Sequence, residues 1–168
     1  MNEPAYWIEK LGLVRHPEGG WYREVYRSPE TIARAALPPR YSSDRRFSTA
    51  IYYLLESGQR SALHRLKSDE LWFFHTGCPL SLCSIAPDGN SHVTLLGSHP
   101  ECNESFQAMI PAGDWFGARP SESGSYSLVS CTVAPGFDFS DFEMGKRDQL
   151  LALFPGCREI IEQLANHG

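Results

Sequence analysis

The sequence predicts an all-β-dominated fold with a short N-terminal helix and two C-terminal helices. Three observations lead there. Turn residues punctuate the chain at short, regular intervals: Gly58, Gly77-Cys-Pro79, Pro87-Asp-Gly89, His99-Pro100, Pro111-Ala-Gly113, Gly124 and Pro135-Gly136 bound short apolar runs. Aromatic residues make up 12% of the chain, beside 14 Gly and 12 Pro, a composition that suits strands and tight turns. After Phe137-Asp-Phe-Ser-Asp-Phe142 the apolar spacing changes from alternation to a helical period.

Residues 4–12 read as a helix. Pro4 suits a first turn, Trp7, Ile8 and Leu11 share a face, and Gly12 suits the stop. His16-Pro-Glu-Gly-Gly20 is a turn. Trp21 to Arg27 alternates like a strand, with Trp21, Arg23, Val25 and Arg27 on one face. Residues 28–45 carry Pro29, Pro38 and Pro39 without a period and read as a long loop or arm. Ser48 to Leu55 is a strand of β-branched and aromatic residues. Ala86 to Asn90 is a hairpin turn between strands Leu80–Ile85 and His92–Leu96. Arg147–Phe154 and Arg158–Leu164 read as helices separated by Pro155-Gly156.

A chain of 168 residues is most simply one domain, 1–168. It divides into an N-terminal helix, strand and arm (1–45), a β-barrel (46–143) and the C-terminal helices (144–168). No apolar run reaches membrane-spanning length, and MNEPAYWIEKLG lacks the basic and apolar regions of a secretory signal. Five cysteines without a C-x-x-C spacing fit reduced thiols, so the expected location is cytoplasmic. A net charge of −5 disfavours nucleic acid as a partner. Seven basic residues (Arg34, Arg40, Arg45, Arg46, Arg60, Arg65 and Lys67) face only Asp44 and Glu56 over 34–67. That stretch either attracts an anionic small molecule or is solvated surface. Asp138, Asp141 and Glu143 form an acidic run whose spacing matches no calcium loop.

Gly58 to Gly77 spaces its residues as G-x5-H-x5-E-x6-G, with His64 and Glu70 at the inner positions. Pro111-Ala-Gly113-Asp-Trp-Phe116 follows. Together these resemble the two motifs of the cupin superfamily, which implies a double-stranded β-helix, or jelly roll. Leu66 and Phe116 stand where that family places two of its histidine ligands. His16-Pro-Glu-Gly-Gly20, Tyr22-Arg-Glu24, Ser48 to Tyr52, Asp69 to Trp72 and Cys131 to Phe139 extend the likeness. They point to a branch of small single-domain cupins without an assigned reaction. The branch resembles the metal-free dTDP-sugar epimerase-like cupins at the level of fold.

Alternation places His64 and Leu66 on one face of their strand, and Glu70, Trp72 and Phe74 on one face of the next. His75 then points out unless a bulge re-aims it. Two protein ligands are too few for a transition metal, so no cofactor is expected. A divalent metal would need His64, Glu70 and a third group such as His75, His92 or His99. Without metal, His64 can act as a general base oriented by a hydrogen bond to Glu70. Tyr22, Tyr26, Tyr52 and Tyr126 are candidates for the partner acid. Arg23, Glu24, Trp72, Phe116 and Tyr126 are the candidate substrate-binding residues, and His16, His92, His99 and His167 are expected at the surface. The expected function is an epimerase- or isomerase-like enzyme on a small anionic, carbohydrate-like or carbonyl-containing metabolite. A metal-dependent oxygenase or isomerase and a non-catalytic ligand-binding or structural cupin are the rivals. A homodimer is expected, with the Trp21–Arg27 strand and the arm after it covering a partner's sheet edge.

Overall fold

A computed structural model describes residues 3–123 and 125–166. Gly124 and His167, both named above, lie outside the described residues. Helix α1 (Pro4–Leu11) ends where Gly12 takes the left-handed conformation and returns its N–H to Glu9 O. Strands β1 (Val14–Arg15), β2 (Trp21–Arg27), β3 (Thr31–Ile32), β4 (Arg45–Arg46), β5 (Thr49–Glu56), β6 (Ser61–Arg65) and β7 (Asp69–Gly77) follow. Next come β8 (Leu80–Ile85), β9 (Ser91–Leu96), β10 (Gln107–Ile110), β11 (Trp115–Pro120), β12 (Tyr126–Ala134) and β13 (Glu143–Met144). Helices α2 (Arg147–Leu153) and α3 (Arg158–Leu164) close the chain, separated by a 3-10 turn at Pro155–Cys157.

Apart from β3 and β4, the strands form two antiparallel sheets, ordered β1-β2-β5-β12-β7-β10 and β13-β6-β11-β8-β9. They stack as a jelly roll. Tyr53, Trp72, Val129 and Ile110 of the larger sheet pack into one core with Leu80, Leu82, Leu96 and Phe116 of the smaller. Helices α2 and α3 cover the outside of the smaller sheet, where Leu150, Ile161 and Leu164 meet Leu63, Ile85 and Trp115. Helix α1 lays Trp7, Ile8 and Leu11 over Leu54, Tyr126 and Leu128 on the outside of the larger. Among the described residues, no helix is long and apolar enough to cross a membrane.

One feature differs from the sequence reading: the arm 28–45 is not a plain loop, because β3 and β4 pair as a small ribbon. Strand β2 pairs with β5, and β1 pairs with β2 in turn.

The charges flanking the site are largely committed to structural pairs. Arg45, 2% exposed, sets its Nε 2.6 Å from Asp141 Oδ2 and also bonds Ser43, the Asp44 carbonyl and Ser140. Arg65 pairs with Glu143 at 2.7 Å, and Arg40 donates to the Lys67 carbonyl. Asp138 caps the 3-10 turn at Phe139–Asp141 by accepting from Ser140 N–H. The acidic run is therefore spent on holding residues 137–143 in place.

Candidate functional site

One end of the space between the sheets is not filled by apolar packing. A cavity of about 240 Å³ opens there, with Tyr22, Glu24 and Arg27 of β2, Thr49 and Ile51 of β5, and Cys131 and Val133 of β12 on its wall. Phe137 and Phe139 form part of its rim, while His16, Glu18, His64, Leu66 and Glu70 also line it.

Three bulges decide which side chains reach this space. In β6, His64 pairs with Phe116 but Ser61 pairs with Ala118, so Ala62 and Leu63 together face Gly117. The extra residue turns Ser61 and His64, three positions apart, to the same side. Gly117 permits it, because a Cβ there would lie 2.6 Å from the Ser61 carbonyl. In β2 the register slips between Glu24 and Tyr26, leaving Val25 as the extra residue. Arg27 thereby joins Tyr22 and Glu24 on the cavity wall, and the strict alternation expected for β2 breaks. In β7, Phe74 and Thr76 face consecutive residues of β12, so His75 is the extra residue. It stays exposed on the outer face, 2.9 Å from Ser130 Oγ.

The central side chain is Glu18, which sequence reasoning missed. The turn His16-Pro-Glu-Gly-Gly20 lies tight against the sheet: Ala62 N–H donates to the Glu18 carbonyl, and Tyr53 Oη donates to Gly19 O at 2.6 Å. A Cβ on Gly19 would lie 2.1 Å from the Arg60 carbonyl, and Gly19 sits at φ +112°. Only glycine permits this approach, which carries Glu18 into the cavity. The Gly-Gly pair after an acidic residue was the available signal. Gly19→Ala should lower stability by more than about 2 kcal/mol in urea unfolding. Gly58→Ala, at φ +80° with nothing within 4 Å of the new Cβ, should cost clearly less. Equal costs would show that the approach to Arg60 does not constrain the turn.

Glu18 is buried, and each carboxylate oxygen has a partner. Ser61 Oγ donates to Oε1 at 2.9 Å, and His64 Nε2 lies 3.1 Å from Oε2. His64 Nδ1 donates to the Ala62 carbonyl at 2.8 Å, since a carbonyl only accepts. Both ring nitrogens are thus engaged. The carboxylate that orients His64 is Glu18, not Glu70 as the sequence suggested. Phe116 and Phe142 pack against the imidazole, with ring centroids 4.1 Å and 5.2 Å away.

Glu70 has different company. Its Oε2 accepts from Trp72 Nε1 at 3.0 Å. Burial first, and the nearby Glu18 carboxylate second, push its pKa up to about 8, against the weaker opposing pull of the indole N–H. Its surroundings therefore favour the protonated carboxyl over the carboxylate. His16 also borders the cavity, contrary to the surface position expected, and its imidazole packs edge-on to Tyr22. Burial lowers its pKa, outweighing the opposing effect of Glu18. The Glu18 N–H donates to His16 Nδ1 at 3.2 Å, so that nitrogen carries a lone pair. The 3.7 Å approach of Nδ1 to Glu18 Oε2 is accordingly no ion pair.

Of the other expected site residues, Glu24 reaches the cavity and is paired to Arg27 at 2.7 Å. Trp72 and Phe116, each 1% exposed, belong to the core behind the cavity rather than to its wall. Arg23 points the other way and donates to Leu11 O at the end of α1. Tyr126 lies under α1, accepting from Trp7 Nε1. Of the four tyrosines considered as acids, Tyr22 lines the cavity. None of the basic residues of 34–67 does. Arg27 is the Lys or Arg on the wall, and Glu24 occupies it.

Leu66 and Phe116 cannot ligate, and His75 lies on the far face of its sheet, apart from His64 and Glu70. Among the described residues, no group of three or more His, Cys, Asp or Glu side chains could hold a metal ion.

Comparison with known proteins agrees with this architecture. The family described as Cupin superfamily (DUF985) matches residues 5–145. A hypothetical protein from Leishmania major superposes with a TM-score of 0.89 at 37% identity, covering 99% of this chain and 100% of that one. An uncharacterized protein of Saccharomyces cerevisiae, YML079W, is 27% identical over 96% of this chain and 87% of its own length. Oxalate decarboxylase from Bacillus subtilis shares the fold at 17% identity and a TM-score of 0.55, with 92% of this chain matching 37% of that one. With two stacked antiparallel sheets, a cavity at one end and a family match over most of its length, the chain belongs to the cupin superfamily, in its DUF985 family.

Proposed function

We propose that the protein is an enzyme that moves a proton on a small polar metabolite, carbohydrate-like or carbonyl-containing, with Glu18 and His64 as the base and Glu70 as the acid. One observation carries the reading. Two buried carboxyl groups border the same small cavity with opposed surroundings, one held by a hydroxyl and an imidazole, the other kept protonated. Pairs of titratable groups in such unlike surroundings are how acid and base roles are divided at one pH.

Glu18 Oε2 and His64 Nε2 act as a unit. The ring is locked through Nδ1, and Ser61 fixes the other carboxylate oxygen, so the base is positioned before a ligand arrives. Glu70, whose Oε2 accepts from Trp72 Nε1, supplies a proton. The cavity is below the ~300–1,000 Å³ of sites that hold drug-sized ligands, which suits a small metabolite. Arg27 offers the cation for an anionic substituent once Glu24 yields it.

The test is deuterium incorporation. Small aldoses, ketoses, hydroxy acids and keto acids are incubated with the protein in heavy water and followed by NMR. A substrate should gain deuterium at carbon with the wild type. Glu18→Gln and Glu70→Gln should each slow the exchange by roughly 100-fold or more. The wild-type rate should fall above about pH 8, where Glu70 loses its proton. Exchange at wild-type rate in both variants would refute the assignment. A ligand that binds the cavity without any exchange would favour a non-catalytic binding protein.

A further inference from the structure

We propose that His16 is the electrophilic group of this site: a neutral imidazole whose Nε2–H donates to a carbonyl oxygen of the ligand next to the carbon that loses its proton. The inference rests on the acid–base reading above and adds the group that reading lacks.

The geometry fixes the tautomer. Glu18 N–H donates to His16 Nδ1, so the ring proton is on Nε2. Among the described residues, the hydrogen bond made by the ring is the one at Nδ1. The ring itself is 7% exposed and borders the cavity, which leaves the cavity as the place where Nε2–H finds an acceptor. The ring is held against Tyr22 and Tyr53, with centroids 4.4 Å and 5.9 Å away, so the donor is aimed before a ligand binds. The same backbone turn carries both His16 and Glu18. Base and electrophile are thereby set side by side, as removal of a proton α to a carbonyl requires.

The step balances without an oxidant or reductant. Glu18 takes the proton from carbon. The C–H electron pair moves toward the carbonyl, and the resulting enolate oxygen accepts the His16 Nε2–H bond. Glu70 returns a proton to carbon, on the opposite face or at the neighbouring carbon, giving an epimer or an isomer. Exchange with solvent restores the two carboxyl groups. The ligand class is a small molecule with a carbonyl oxygen and an acidic α C–H.

The test uses the full chain with nitrogen-15-labelled histidine and acetohydroxamate, a small planar mimic of an enediolate. The free protein should show His16 protonated on Nε2 and bare on Nδ1, and acetohydroxamate should shift the Nε2 signal. His16→Gln can keep an N–H near the Nε2 position, whereas His16→Asn keeps an acceptor for Glu18 N–H but cannot reach as far. The Asn variant should bind acetohydroxamate at least about tenfold more weakly, and the Gln variant within a few-fold of wild type. The opposite tautomer, no binding by the wild type, or equal binding by wild type and the Asn variant would each overturn the proposal. If either variant fails to fold, the wild-type nitrogen spectrum decides. These outcomes are separate from the acid–base reading, which stands or falls on deuterium exchange in Glu18→Gln and Glu70→Gln.

Discussion

Glu70→Gln should become progressively more stable than the wild type as pH rises from about 4.5 to about 8, and the gap should level off above that. The folded wild type holds a proton on Glu70 up to about pH 8, while the unfolded chain releases it near 4.5. Between those values the native state binds more protons than the unfolded state, so this group lowers stability as pH rises. Below about 4.5 both states are protonated and the penalty is absent. Above about 8 it is complete, on the order of 4–5 kcal/mol at about 1.4 kcal/mol per unit. Glutamine does not titrate, and its carbonyl can still accept from Trp72 Nε1. The measurement is the urea midpoint of both proteins at intervals from pH 5 to pH 9. A pH-independent difference would show that Glu70 is an ordinary carboxylate and would remove it as the acid. Adding Glu18→Gln to the wild type should narrow the window, because the Glu18 charge is the second cause of the shift.

Asp141→Ala should destabilise the protein by about 3–5 kcal/mol, the cost of leaving a buried charge without its partner. Arg45 is 2% exposed, and its bidentate contact with Asp141 neutralises it. Ser43, Ser140 and the Asp44 carbonyl would remain, but none carries charge. Replacing both partners, as Arg45→Met with Asp141→Leu, should cost less than the single change, because no charge is then stranded. Asp141 also belongs to the segment that carries Phe137 and Phe139 to the cavity rim. The single variant should therefore loosen the wall formed by Phe137 and Phe139. A single-variant cost below about 1 kcal/mol would mean that water reaches the guanidinium.

The arithmetic of net charge did not predict the site. The basic stretch over 34–67 left open an attraction for anions or a solvated surface. In the folded chain Arg45, Arg65 and Lys67 face Asp141 and Glu143, and none of the seven lines the cavity. The partners are distant in sequence, so only their meeting shows that the charges cancel.

Sequence determined the fold. Regular turns, β-branched and aromatic runs, the Gly-His-Glu-Gly spacing and the late change of period led to the right elements, because each depends on neighbours a few residues apart. It also identified His64 and Glu70 as cavity residues, since alternation orders the side chains within an unbroken strand. Tertiary structure decided which partners those residues meet. Each bulge inserts one residue and reverses the facing of everything beyond it, and its position is set by the strand on the other side of the ladder. That is why Ser61 and Arg27 turn inward. Glu18 follows the same rule from a turn: Gly19 and Gly20 can be read as permissive, but only contact with Arg60 and Leu54 shows which way the turn closes. The pairing of His64 with Glu18, and the upward push that burial and the Glu18 charge give the Glu70 pKa, come from distances between segments that no local pattern encodes.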